Sequence, residues 1–295
     1  MRTPFTGVGT ALITPFTRDG SLDEVAVKRL AKRQIDAGVH FLSPCGTTGE
    51  APTLTHRDKL RVVELVLEEA KGRVPVLAGA GGYDTREVVE LARDLERVGA
   101  DGLLSVAPYY NKPTQEGLYQ HFKAIADAVD LPMILYNVPG RTVADMSNDT
   151  VLRLAQLPRI VAIKDATGNI ERGTDLVKRA PKGFSVLSGD DATCLALTLL
   201  GGQGAISVTA NVAPRLMHEM IAAGIAGEVV KAREINMRLL GLHRNLFVEA
   251  NPIPVKWACA RMGLIEDGRR LPMTPMSPEF NEKVLTALRE AGVQV

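Results

Sequence analysis

The chain has 295 residues, 45% of them hydrophobic, and its 35 basic and 34 acidic side chains leave a net charge of +1. The charges are interspersed, so no basic stripe points to nucleic acid and no charged tail to disorder. No apolar run approaches the roughly 20 residues that cross a bilayer, and the opening Met1-Arg2-Thr3-Pro4-Phe5 lacks the apolar core of a signal peptide; a soluble, cytoplasmic protein is expected.

Strand-like apolar runs begin near Val8, Val39, Val74, Asp101, Pro132, Ile160, Phe184 and Gln203, at spacings of 31, 35, 27, 31, 28, 24 and 19 residues. A strand–helix repeat needs roughly 30 residues. Amphipathic stretches fill the gaps. Between Arg57 and Lys71, for instance, Leu60, Val63, Leu67 and Ala70 share one helical face, and Arg61, Glu64, Glu68 and Lys71 another. Eight such units predict an α/β fold closed as a (β/α)8 TIM barrel over residues 1–225, rather than an open doubly wound sheet. Residues 226–295 read as helix with no further strand. There Leu239, Leu240, Leu242, Leu246 and Phe247 offer apolar faces, and Asn251-Pro252-Ile253-Pro254 breaks the first helix. The expectation is a helical appendage packed on the barrel.

Cys45, Cys194 and Cys259 are odd in number and widely spaced, which argues against a disulfide framework or a structural zinc site. The histidines His40, His56, His121, His218 and His243 lack metal-ligand spacing, and no metal is expected.

Chemistry in such a barrel sits where strands end and loops begin. Strand two leads into Cys45-Gly46-Thr47-Thr48-Gly49-Glu50, strand four into Pro108-Tyr109-Tyr110-Asn111, and strand five into Tyr136-Asn137-Val138-Pro139-Gly140-Arg141. Strand six ends at Lys164 and strand seven at Ser188-Gly189-Asp190-Asp191. Lys164 closes the apolar run Ile160-Val161-Ala162-Ile163. A lysine there either snorkels into water or stays buried, where the neutral amine is favoured and can form a Schiff base with a carbonyl. Tyr136 is in phase with Ile134, and Lys164 with Ala162 and Ile160, which makes phenol and amine neighbours if these faces point inward.

Gly46-Thr47-Thr48-Gly49 is either an anion-binding nest or an ordinary tight turn. Gly79-Ala80-Gly81-Gly82 lacks the Gly-Lys-Ser/Thr of a P-loop and reads as a turn. Arg141 can grip a carboxylate or lie free on the surface. Asp190-Asp191 reads as the N-cap of a helix over Ala192–Leu200, in preference to a metal site, and Cys45 as a small residue beside its loop, with no histidine to activate it.

Together these motifs, with Arg141-Thr142 and Lys164-Asp165-Ala166-Thr167-Gly168, resemble the dihydrodipicolinate synthase family, also called 4-hydroxy-tetrahydrodipicolinate synthase. This family belongs to the pyruvate-dependent class I aldolases that include N-acetylneuraminate lyase. The resemblance covers essentially the whole chain. It implies condensation of pyruvate with L-aspartate 4-semialdehyde, in the diaminopimelate route to L-lysine, with no cofactor beyond a covalent Schiff base on Lys164. A related aldolase acting on a sugar acid or another aldehyde is the alternative, and a catalytically silent barrel a third reading. By the resemblance Thr47 and Thr48 hold the pyruvate carboxylate, Tyr136 moves protons, and Thr47 links Tyr136 to a Tyr110 from the neighbouring subunit. Arg141 binds the semialdehyde carboxylate, and Gly189 and Ile206 line the pocket. It further implies a homotetramer built as a dimer of dimers. Some members are inhibited by L-lysine at positions matching Pro52, His56, Lys59, Tyr83, Glu87 and Tyr109; Lys59 and Tyr83 replace a histidine and an asparagine, so weak or absent feedback is expected.

Overall fold

Eight parallel strands form one sheet in the order β2-β1-β8-β7-β6-β5-β4-β3. They are β1 (Gly7–Ala11), β2 (Phe41–Ser43), β3 (Leu77–Gly79), β4 (Gly102–Val106), β5 (Met133–Asn137), β6 (Ile160–Asp165), β7 (Ser185–Ser188) and β8 (Gly204–Ser207). The structure, a computed structural model, describes residues 5–295; the expectation drawn from Met1 to Pro4 lies outside the described residues. The sheet closes between its two end strands through a bridge from Leu42 to Val76. Main-chain bonds from Leu42 to Pro75 (3.0 Å) and from Gly79 to Pro44 (2.9 Å) seal the same seam. Here β3 lies hard against the end of β2, because a Cβ on Gly79 would stand 2.0 Å from the Cys45 carbonyl oxygen. The closed (β/α)8 barrel is thus as expected, and each observed strand falls within three residues of its predicted start.

Alternation along the strands splits the core in two. Leu104, Ile134, Tyr136, Ala162, Leu187 and Ile206 pack inside the barrel with Phe5 and Phe41. Leu103, Met133, Leu135 and Ile163 pack outward against the helices. Ile160 is outward too, which corrects its expected phase with Lys164. The β5–β6 register shifts there, Met133 pairing with Ile160 but Ile134 with Ala162, and only the Ala162–Lys164 phase survives the irregularity.

The short late spacings have a local cause. The helix after β7 spans only Cys194–Leu199, so strand eight arrives early. The helix His56–Ala70 begins at a Thr55–Asp58 capping box and buries Val62, Val63, Leu65, Val66 and Ala70. Its core face is therefore rotated from the expected one, and Leu60 and Leu67 sit at the margin.

Beyond β8 the chain is helical over Pro214–Ile225, Val229–Asn245, Ile253–Arg261 and Asn281–Glu290. Leu239, Leu242 and Leu246 are buried, whereas Phe247 is exposed and not part of an apolar face. This region is stitched to the loop after β2. Arg270 donates to the Thr53 carbonyl (2.9 Å) and to Asp58 (2.8 Å). Lys256 meets Glu50 in a buried ion pair at 2.6 Å. No helix among the described residues is long and apolar enough to cross a membrane.

Candidate active site

Lys164 is 5% exposed at the C-terminal end of β6. Its register partner on β5 is Tyr136, and its Nζ stands 4.2 Å from the centre of the buried Tyr136 ring. The next residues, Asn137 and Asp165, are also register partners and bind on the other face. Asn137 donates to Asp145 (2.8 Å) and accepts from the Met146 N–H (3.1 Å). Arg172 bonds Asp145 at 2.9 Å and also holds the Met146 carbonyl. Asp165 accepts from the Thr167 N–H at 2.9 Å, and burial raises its carboxyl above the ordinary range. This outer network clamps the two strand ends, and so fixes the phenol beside the amine.

Gly189 serves that amine by having no side chain. A Cβ there would lie 2.9 Å from Lys164 Cε and 2.7 Å from Ala166 Cβ. Ile206 lies inside the barrel with Tyr136. Neither Gly189, which is half-buried, nor Ile206, which is buried, is on the wall of the open cleft.

The cleft holds about 430 Å³ and is lined by Thr47, Tyr136 and Arg141 together with Lys59, Tyr83, Glu87 and Tyr109. Gly79, Gly81 and Gly82 also line it, so the stretch read as a plain turn is part of the wall. The loop after β2 folds as a turn, Glu50 N–H to the Thr47 carbonyl at 3.0 Å, and neither the Thr47 nor the Thr48 N–H has an acceptor among the described residues. Both N–H groups are thus available to a ligand or to water. Cys45 is buried with its thiol pushed up to about 12 by desolvation, too high for a nucleophile.

Two further expected participants stand off the cleft wall. Tyr110 is 91% exposed, with left-handed backbone (φ 67°), and is not on the wall of its own cleft. His56 pairs with Asp94 at 2.7 Å and is not on the cleft wall. The aspartates divide their work. Neither is the expected N-cap, because the helix begins at Cys194 with Thr193 at its cap position and no side-chain cap bond. Asp190 accepts from the Thr193 N–H (3.0 Å) and hydroxyl (2.6 Å) in the turn before the helix, and Asp191 accepts from the N–H groups of Val208 (2.9 Å) and Thr209 (2.8 Å) and ties β7 to the loop after β8.

Sequence reasoning missed two contributors from the C-terminal region. Asn251 donates from Nδ2 to the Thr48 hydroxyl oxygen at 3.0 Å, and its main-chain carbonyl accepts from Arg141 at 3.5 Å. Lys256, the lone charge in Ile253-Pro254-Val255-Lys256-Trp257-Ala258-Cys259, carried the same signal that singled out Lys164.

An amine and a phenol side by side at the C-terminal rim of a closed parallel barrel define a (β/α)8-barrel enzyme equipped for covalent carbonyl chemistry. The chain belongs to the dihydrodipicolinate synthetase family, whose profile matches residues 4–291. It is 60% identical to the 4-hydroxy-tetrahydrodipicolinate synthase of Nitrosomonas europaea, over 99% of this chain and 100% of that one. The crystal structure of the chloride-inhibited dihydrodipicolinate synthase of Acinetobacter baumannii, complexed with pyruvate, superposes with a TM-score of 0.97 at 48% identity, covering 99% of this chain and 100% of that one. A monomeric dihydrodipicolinate synthase variant superposes with a TM-score of 0.96 at 43% identity, covering 99% of this chain and 98% of that one.

Proposed function

We propose that the chain catalyses the 4-hydroxy-tetrahydrodipicolinate synthase reaction, condensing pyruvate with L-aspartate 4-semialdehyde on the diaminopimelate route to L-lysine. The observation that carries this reading is the buried Tyr136–Lys164 pair, phenol ring and amine 4.2 Å apart on adjacent strands. Full-length identity to relatives of that activity supports the choice of substrates.

Lys164 Nζ attacks the keto carbon of pyruvate, and loss of water gives the imine. A proton leaves the pyruvate methyl carbon to form the enamine. That carbon bonds to the aldehyde carbon, whose oxygen takes a proton and becomes a hydroxyl. The semialdehyde amine then adds to the imine carbon, expels Lys164 and closes the ring. Tyr136 passes the protons. Thr47 and Thr48 hold the pyruvate carboxylate at their free N–H groups, and Arg141 at the cleft mouth grips the carboxylate of the semialdehyde. Gly189 and Ile206 shape the floor.

A large aromatic left in solvent on strained backbone suits an interface. Tyr110 is therefore assigned to a neighbouring subunit's site, linked through Thr47 to Tyr136, in a cytoplasmic homotetramer built of dimers. Residues 1–225 form the catalytic barrel and 226–295 the helical region packed on it. Sedimentation should give a tetramer, and Tyr110→Ala should lower kcat; a fully active monomer would refute the shared site.

Borohydride reduction in the presence of pyruvate tests the chemistry. Mass spectrometry should find the adduct on Lys164 and none on Lys164→Ala. An unmodified wild type, or equal modification of both, overturns the mechanism. Turnover of aspartate semialdehyde but not N-acetylneuraminate separates the reading from its sugar-acid alternative.

A further inference from the structure

Thr48 hangs on a side chain from outside the barrel proper. Both Thr48 and Asn251 are buried, and Asn251 Nδ2 donates to Thr48 Oγ1 at 3.0 Å. A hydroxyl oxygen that accepts this bond turns its own hydrogen elsewhere. The same asparagine, through its main-chain carbonyl, lies 3.5 Å from the Arg141 guanidinium. The other polar atom of its side chain, Oδ1, is buried with no partner among the described residues. Such an orphaned acceptor destabilises a fold, so a residue with only a packing role is better made apolar. Two residues further on begins Ile253–Arg261, which carries Lys256, whose buried pair with Glu50 fixes this segment against the loop that holds Thr48.

We infer that Asn251 is a positioning residue for pyruvate: its amide orients the Thr48 hydroxyl as a donor to the substrate carboxylate, and its main-chain carbonyl steadies Arg141 independently. The C-terminal region thereby reaches both carboxylate grips from one residue, by two separable contacts. This rests on the assignment of Thr48 to the pyruvate carboxylate.

The separability makes the test. Asn251→Ala removes the side-chain contact and keeps the carbonyl. The pyruvate KM should rise about tenfold, equivalent to about 1.4 kcal/mol, while the semialdehyde KM and kcat stay within about twofold and Tm is not lowered. Adding Asn251→Ala to Thr48→Ala should change the pyruvate KM no further, since the amide acts through that hydroxyl. Asn251→Asp keeps the volume and serves if the alanine variant fails to fold; it sets an acceptor where a donor stood, and its pyruvate KM should rise further. Borohydride trapping at graded pyruvate concentrations gives the same comparison without the second substrate. If wild type is never trapped, the Schiff-base reading falls and this inference with it. If wild type is trapped but the folded variants half-saturate at the same pyruvate concentration, or if the two substitutions are additive, the role of Asn251 alone is overturned.

Discussion

Lys256 Nζ meets Glu50 Oε1 at 2.6 Å with the two side chains only 1% and 2% exposed. Desolvation pulls the ammonium below its usual range, and Glu50 opposes that pull. Removing one partner of such a pair strands a buried charge, which typically costs about 3–5 kcal/mol, whereas replacing both with apolar groups costs far less. Glu50→Gln and Lys256→Met should therefore each lower Tm sharply, and the double variant Glu50→Leu/Lys256→Met should recover most of the loss. Calorimetry on the four proteins checks it; additive losses would show that the pair does not act as a unit.

Lys164 is the other buried lysine, and no carboxylate among the described residues pairs with it. Its neighbour is Tyr136. If the phenol passes protons during imine formation, Tyr136→Phe should reduce kcat by roughly 10²–10⁴-fold, the usual worth of a positioned acid–base group. Slow borohydride trapping on Lys164 should persist, because the amine remains. Unchanged kcat in the phenylalanine variant would assign the proton transfer to another group.

The barrel and the rim were legible because both rest on short-range rules. Apolar runs at strand–helix spacing give the fold, and alternation from Ile134 to Tyr136 and from Ala162 to Lys164 puts phenol and amine on one surface. Ile160 fell out of phase because a register irregularity has no signature in a run where every residue is apolar. Asn251 was legible only as a helix breaker. Its partner Thr48 is 203 residues away in sequence, and no periodic pattern connects the two. Phe247 looked like core for the opposite reason, since composition marks apolar type but not which side of a helix end stays in solvent.

Gly189 tests how tightly the amine is placed. A methyl group there would meet Lys164 Cε at 2.9 Å and Ala166 Cβ at 2.7 Å. The lysine stem is the softer neighbour, so Gly189→Ala should displace Nζ by a fraction of an ångström to an ångström. A misplacement of about 1 Å can cost about 100-fold in rate. A kcat loss of that order with Tm changed by only a few degrees is expected; wild-type kcat would show that the stem has room to spare.

Feedback by L-lysine should be weak or absent. Lys59 stands on the same cleft wall as Tyr83, Glu87 and Tyr109, where its ammonium repels the effector's own ammonium groups. His56 is turned away to Asp94. Steady-state rates should hold at millimolar lysine, and Lys59→His with Tyr83→Asn should introduce inhibition. A micromolar inhibition constant in the wild type would defeat the expectation.

Acid should destabilise the fold through His121. Burial pushes this imidazole down to about 4 from an ordinary value of 6.5, and its Nδ1 bonds the Thr85 hydroxyl at 2.9 Å. The unfolded chain takes up the proton first. The stability of the neutral, buried ring is therefore whole above about pH 6.5 and is lost as pH falls from 6.5 to about 4, with no further change below. The full shift corresponds to at most about 3 kcal/mol. His40 and His243 are also lowered by burial and add slope of the same sign. His121→Gln cannot take the proton and still offers Thr85 a polar partner. Its urea midpoint should fall less than that of the wild type between pH 7 and pH 4; parallel decline in the two proteins would remove His121 as a source of the acid sensitivity.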